Sequence, residues 1–188
     1  IYENCLSVIP HDKFTFAKIW IYYAKFLIRQ DRLSDARKLL GRALGICPKK
    51  KLFEAYIELE LDLKEFDRVR MIYGKYIDWN SSIVATWIKF CQFEAALAEF
   101  SRVRAIFELA LQQEEKDNPE LLWKSFIDFE YSQQNWEGVR SLYERLLSIS
   151  EHVKIWISFA TFEASIDNLL ECRAVFKRAY ESLKKQQL

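Results

Sequence analysis

A bulky aromatic residue returns at Trp20, Phe53, Trp87, Trp123 and Trp156, in steps of 33, 34, 36 and 33 residues. A self-similar period of that length is the mark of a solenoid built from one supersecondary unit. An arginine follows each aromatic at a fixed offset of seventeen: Arg37, Arg70, Arg104, Arg140 and Arg173. The offset within the unit is constant while the spacing between units varies. The unit is therefore rigid, and the connections absorb the insertions. In the copy from Trp87 to Leu111, Trp87, Phe90, Phe93, Glu94 and Leu97 fall at three- and four-residue spacings, and Val103, Ile106, Phe107, Ala110 and Leu111 make a second such stripe. Each stripe is the apolar face of one amphipathic helix, and the polar break between them makes the unit a helical hairpin that cannot bury its own face.

The fold class that follows is all-α, a right-handed superhelical solenoid of helical hairpins. Only 4 Gly and 3 Pro occur in 188 residues, too little turn material for strand hairpins or a Gly-rich phosphate loop. The expected organisation is a single array over residues 1–188: a half-repeat in 1–10, where Tyr2, Cys5 and Leu6 fit a second helix, then five repeats starting near the five aromatics. The chain opens without Met, and it is read as a fragment of a longer array, its last copy ending near Ser182.

The columns of the repeat predict the core. Three residues after the opening aromatic stand Tyr23, Tyr56, Phe90, Phe126 and Phe159, and three further on Phe26, Leu59, Phe93, Phe129 and Phe162. In the second helix Leu40, Tyr73, Phe107, Tyr143 and Phe176 align, each preceded by an aliphatic residue. Leu33, Phe66, Phe100, Trp136 and Leu169 plug the turn, and Ser34, Asp67 and Ser101 behind them are expected helix starts. Pro10, Pro48 and Pro119 fall in connections, where a helix stops.

With 28 Lys and Arg against 27 Asp and Glu, the net charge of +1 provides no global field for nucleic acid or a membrane surface. No apolar run reaches membrane-span length and no signal peptide opens the chain, so a soluble intracellular protein is expected. Cys5, Cys47, Cys91 and Cys172 stand one to a repeat with no close pair, Cys91 and Cys172 in columns otherwise filled by alanine, isoleucine or valine and Cys5 in one shared with Ala43, Ala110 and Ala179. They read as small hydrophobes, with no metal or other cofactor expected. His11 and His152 lie four repeats apart and make no site.

The most regular polar feature is a glutamate seven residues after the aromatic, Glu60, Glu94, Glu130 and Glu163, with an arginine ten residues later, Arg70, Arg104, Arg140 and Arg173. Both positions lie equally far from the turn, so a salt bridge across each hairpin is expected, structural and not catalytic, since no third group recurs beside it. Repeat one carries Leu27 in place of the glutamate, which on this reading leaves Arg37 unpaired. Two basic features are candidate contacts for a partner or RNA: the run Lys49, Lys50, Lys51, and the second-helix column Arg42, Lys75, Arg145 and Arg178.

The columns, an aromatic, then Tyr or Phe, then a large apolar residue and Glu, with Arg before an apolar pair, resemble the half-a-tetratricopeptide (HAT) repeat of RNA-processing proteins. Within that class, FTFAKIW (Phe14 to Trp20), CPKKKLFEAYIELE (Cys47 to Glu60), EFDRVR (Glu65 to Arg70), LWKSFIDFE (Leu122 to Glu130) and HVKIWISFA (His152 to Ala160) resemble the crooked-neck family of pre-mRNA splicing factors. The resemblance implies a nuclear, non-catalytic scaffold of the spliceosome, associated with the NineTeen complex and small nuclear ribonucleoproteins. Leu27 and Phe53 depart from the usual Glu and Trp. A direct RNA-binding solenoid and a HAT scaffold of mRNA 3′-end processing are the alternatives.

Overall fold

The computed structural model describes residues 1–11 and 15–186, and every regular element among them is an α-helix. In chain order these are α1 (Tyr2–Val8), α2 (Ala17–Arg29), α3 (Leu33–Ile46), α4 (Lys50–Asp62), α5 (Phe66–Trp79), α6 (Val84–Ala96), α7 (Phe100–Gln112), α8 (Pro119–Ser132), α9 (Trp136–Ile149), α10 (Val153–Ser165) and α11 (Leu169–Gln186). No strand occurs among the described residues. The opening aromatics stand about one turn inside α2, α4, α6, α8 and α10, and the arginines one turn inside the helix that follows. Residues 12–14 of the long first connection, including Phe14, lie outside the described residues, as do the last two.

The helices form two compact units, Ile1–Ile106 with Gln113–Asp117, and Phe107–Gln112 with Asn118–Leu188. In the first, α1 packs on α2, α2 on α3 and α4, α3 on α4, α4 on α5 and α5 on α6. Its core includes one cluster around Trp20, Ala24, Leu27, Leu40 and Leu52 and another around Phe53, Ile57, Ile72, Tyr73 and Phe93. In the second, α8 packs on α9, α9 on α10 and α10 on α11, over buried Leu122, Phe126, Val139, Tyr143, Trp156 and Phe159. Leu27, standing where other repeats carry glutamate, is 2% exposed beside Leu6 of the core, so the change of residue is accommodated as ordinary apolar packing.

Two residues of predicted core columns are exposed. Phe26 is 38% and Phe176 52% accessible, whereas Phe93 and Phe162 in the first column and Leu40, Tyr73, Phe107 and Tyr143 in the second are buried. Such a column is buried only where a neighbouring hairpin lies against it. Pro119 opens α8 instead of stopping a helix, a position where its fixed φ and missing N–H cost nothing. The helix α11 runs to Gln186, four residues past the expected end.

The hairpin turns share one backbone device. Asp31, Lys64, Ala98, Gln134 and Asp167 all have φ between 56° and 60°. The N–H of the next residue reaches five residues back, Arg32 to Leu27, Glu65 to Glu60, Glu99 to Glu94, Asn135 to Glu130 and Asn168 to Glu163, at 2.9–3.0 Å. This is the Schellman closure, which usually carries glycine at the left-handed residue. The residue after it, not Ser34, Asp67 or Ser101, precedes the next helix: Arg32, Glu65 and Asn135 are the N-caps of α3, α5 and α9. The turn is two residues shorter than caps at the serines would make it, because the same residue ends one helix and begins the next.

A non-glycine residue at this position is strained. Ala98 has no polar side chain to offset that strain, so Ala98→Gly should stabilise the protein by about 0.5–1 kcal/mol, read as a raised urea midpoint at unchanged slope.

Candidate functional site

The four glutamates of the repeat are almost wholly withdrawn from water: Glu60 is 0%, Glu94 1%, Glu130 2% and Glu163 1% exposed. Each sits on the last full turn of a first helix, where its own backbone carbonyl already accepts the turn-closing bond. A carboxylate buried in this way must be met by hydrogen bonds and a countercharge.

The countercharge comes from the preceding hairpin. Arg37 of α3 donates Nε and Nη2 to Glu60 of α4 at 2.8 and 2.6 Å, Arg70 of α5 to Glu94 of α6 at 2.8 and 2.9 Å, and Arg140 of α9 to Glu163 of α10 at 2.7 and 3.0 Å. All are two-pronged guanidinium–carboxylate forks. The expected pairing across a single hairpin, Glu60 with Arg70 and Glu163 with Arg173, is thus corrected: the sequence separation is 23 or 24 residues, not ten. The second helix of one hairpin turns its arginine face toward the first helix of the next, as α3 does toward α4. Arg37 therefore has a partner despite Leu27, with Glu65 adding a longer contact at 3.6 Å.

The hydrogen bond to the buried carboxylate holds the Arg37, Arg70 and Arg140 guanidiniums above their ordinary range, against the opposing effect of burial. Two carboxylates gain a further donor from their own turn. Asn135 Nδ2 reaches Glu130 at 2.7 Å and Asn168 Nδ2 reaches Glu163 at 3.1 Å, while the Oδ1 atoms of both asparagines accept from the amides that open the next helix.

Rings stack across the same boundaries. Tyr2 lies on Tyr23 at 5.1 Å, Tyr73 on Phe90 at 4.8 Å, Phe107 on Phe126 at 4.6 Å and Tyr143 on Phe159 at 4.9 Å, all within 13° of parallel. In each case the second-helix column meets the first-helix column of the next hairpin. Burial pushes the Tyr73 and Tyr143 hydroxyls up to about 12.

The basic column is largely absorbed by the fold. Arg145 forks onto Glu108 at 2.6 and 2.9 Å and Arg178 onto Glu144 at 2.6 and 2.8 Å, and the Arg178 fork holds the Glu144 carboxyl below its ordinary range. Arg42, Arg145 and Arg178 also lie over Trp20, Trp123 and Trp156, each 22 residues earlier, at 5.4–5.5 Å. Glu108 and Glu144 were not singled out in the sequence, though they share a column, one residue before that of the arginines. Of the lysine run, Lys49 donates to the carbonyl of Thr15 at 2.8 Å, while Lys50 and Lys51 are exposed.

Lys75 lines an open groove of about 300 Å³ in the first unit with Leu44, Phe53, Met71 and Trp79. Gly41 and Gly45 floor that groove, with nothing within 4 Å of where a Cβ would stand.

The other candidates are structural. His11 bridges Thr15 and the carbonyl of Leu6 and packs on Trp20, and His152 caps α10 through Lys154 N. Cys47 and Cys91 are buried and Cys172 half-buried; burial pushes the Cys91 thiol up to about 12. Cys5 is exposed, unlike the alanines of its column, on α1, which among the described residues packs on α2. No group of three His, Cys, Asp or Glu suited to a metal occurs among the described residues, and no helix there is long and apolar enough to cross a membrane. Chemically, the forks and stacked rings join the helices of neighbouring hairpins.

Residues 49–154 match the family described as PRP39 N-terminal HAT repeat. The chain belongs to the HAT-repeat family. Over 187 residues, 98% of its length, it is 50% identical to Crooked neck-like protein 1 of Homo sapiens. It is 45% identical to Pre-mRNA-splicing factor clf-1 of Neurospora crassa and 43% to Pre-mRNA-splicing factor cwf4 of Schizosaccharomyces pombe, in both cases over 100% of the chain. The resemblance read from the repeat and connection segments is borne out. The chain spans 22%, 30% and 30% of the length of these three relatives.

Removing one partner of a buried fork strands the other charge. Arg70→Ala should cost about 3–5 kcal/mol in chemical denaturation, and Arg37→Ala a comparable amount, since Glu60 is as deeply buried as Glu94. A negligible loss at Arg37 would restore the pairing within hairpins. Thiol labelling at about pH 8 should modify Cys5 readily and leave Cys91 untouched until the protein unfolds.

Proposed function

We propose that this chain is a non-catalytic scaffold segment of the pre-mRNA splicing machinery, nuclear, and associated with the NineTeen complex and the small nuclear ribonucleoproteins it serves. The observation that carries this reading is similarity along the whole chain to crooked neck-like and other pre-mRNA splicing factors. The site geometry supports it. The recurring Arg37–Glu60, Arg70–Glu94 and Arg140–Glu163 pairs are engaged in forks and His152 caps α10, which supports a structural role for these groups.

Partners on this reading are proteins, bound through helical or extended segments laid along the exposed helix faces. The glycine-floored groove beside Lys75, Met71 and Trp79 is a candidate path for such a segment. RNA contact is local, through Lys50, Lys51 and Lys75, because Arg145 and Arg178 are already matched to carboxylates.

Used as bait in nuclear extract, the chain should recover NineTeen-associated splicing proteins, and the recovery should survive nuclease. Enrichment of 3′-end cleavage factors alone would favour a 3′-end-processing scaffold. Loss of every interaction on nuclease treatment would favour a direct RNA-binding solenoid.

A further inference from the structure

The two units treat one position of the repeat differently. In the second unit the residue just before the basic column is a glutamate that receives the arginine of the following hairpin: Glu108 takes Arg145 and Glu144 takes Arg178, in two-pronged forks. In the first unit the same register sets Lys75 of α5 against Gly41 of α3, at the 34-residue separation that joins Arg178 to Glu144. Glycine has no side chain with which to answer a cation. Lys75 is accordingly exposed, and it has no ion pair, hydrogen bond or ring contact among the described residues. Nor does it lie over the opening aromatic of its own repeat, as Arg42, Arg145 and Arg178 do, because Phe53 is stacked on Tyr76 at 4.5 Å and on Trp79 at 5.5 Å.

The space left by the missing carboxylate is part of the groove of about 300 Å³ that α3, α4 and α5 line, in which Lys75 is the single charged residue. Met71 and Trp79, which also line it, stay 49% and 40% exposed. Glycine is the poorest helix former after proline, yet α3 carries Gly41 and Gly45 one turn apart where a Cβ would meet nothing within 4 Å. Packing within the fold does not call for them; close approach of another backbone does.

We propose that this groove is a docking site for an acidic segment of a partner protein, an extended stretch in which an aspartate or glutamate lies beside one or two large apolar side chains. The partner's carboxylate takes the place that Glu108 and Glu144 hold in the second unit and pairs with Lys75, its backbone lies over Gly41 and Gly45, and its apolar side chains cover Met71 and Trp79. A lone cation in an apolar wall matches one carboxylate, whereas a chain of phosphates calls for several cations in a row. An occupant of this kind rests on the scaffold reading of the chain, to which it adds the chemistry that one partner segment must present.

Met71 is the single methionine of the chain, so labelling the methionine methyl with carbon-13 gives one NMR signal from the groove. The full chain is used to select from a displayed library of short random peptides, and the enriched peptides are synthesised and titrated against that signal. They should carry Asp or Glu within a few residues of Phe, Trp, Leu or Ile, and they should shift the Met71 methyl. Lys75→Glu should weaken their binding by about tenfold or more, and a peptide with Lys in place of its acid should regain most of that loss on the Lys75→Glu chain alone. Gly41→Glu, which sets a carboxylate opposite Lys75 in the register of Glu144, should weaken binding to a similar degree while the urea midpoint stays at or above that of the parent chain. Failure to enrich any peptide that moves the Met71 signal would overturn the proposal, as would enriched peptides without acidic residues or a shift indifferent to both substitutions. Oligouridine that displaces the peptides and produces a Met71 shift of its own, lost on Lys75→Glu, would assign the groove to RNA instead. Bait recovery from nuclear extract separates the site from the scaffold reading: peptides that fail at the groove while splicing proteins are still recovered sink the site alone, and peptides that bind as expected while no splicing protein is recovered sink the splicing reading alone.

Discussion

A carboxylate almost completely removed from water, at the end of a helix whose last carbonyls are already committed, is the constraint on which this structure depends. Leaving such a charge unmatched costs several kcal/mol, a large part of the net stability of a domain. In Glu60, Glu94 and Glu163 the demand is met by an arginine from the hairpin before, so the hairpins that carry these three glutamates rely on their neighbours for charge balance. Stacking is then required by charge as well as by apolar area. The same glutamate residue accepts the turn-closing backbone bond, which ties the geometry of the turn to the fork between hairpins.

The charge pairs and the rings divide the work between them. Stacked rings and aliphatic columns remove area from water and provide most of the driving force, but flat faces tolerate sliding. A two-pronged fork does not: a shift of one residue moves the guanidinium off the carboxylate and breaks two short bonds. The Glu108–Arg145 and Glu144–Arg178 forks repeat the arrangement on the exposed side, where solvent makes them worth less and they chiefly keep cations occupied.

Much of this was legible in the sequence because burial repeats with the helical period. The aromatic columns, the all-α class, the helical hairpin and the packing role of Cys91 all follow from spacing. The pairing did not. A column says that Glu60 and Arg70 are equally far from their turn, but the positions 23 or 24 residues apart also face each other once hairpins stack, and spacing alone does not choose between them. The one signal that could have decided was repeat one, where Leu27 leaves Arg37 an orphan within its own hairpin but not beside the next. The turns were misplaced for a related reason: a serine just inside a helix looks like a cap, whereas the left-handed residue that sets the boundary is Asp, Lys, Ala or Gln and carries no compositional mark. The exposure of Phe176 was hidden because columns describe a neighbour that every copy is assumed to have.

Because arginine reaches forward and glutamate waits on the other side in the forks of Arg37 with Glu60, Arg70 with Glu94 and Arg140 with Glu163, the hairpins that carry both have two unlike faces. A twofold axis would set guanidinium against guanidinium, or one buried carboxylate against another, so these surfaces exclude the self-complementary contact that most dimers use. Association through them is heterologous and has a polarity, from the amino-terminal to the carboxy-terminal side. Order along such an assembly is written into the sign of the charge that each face presents.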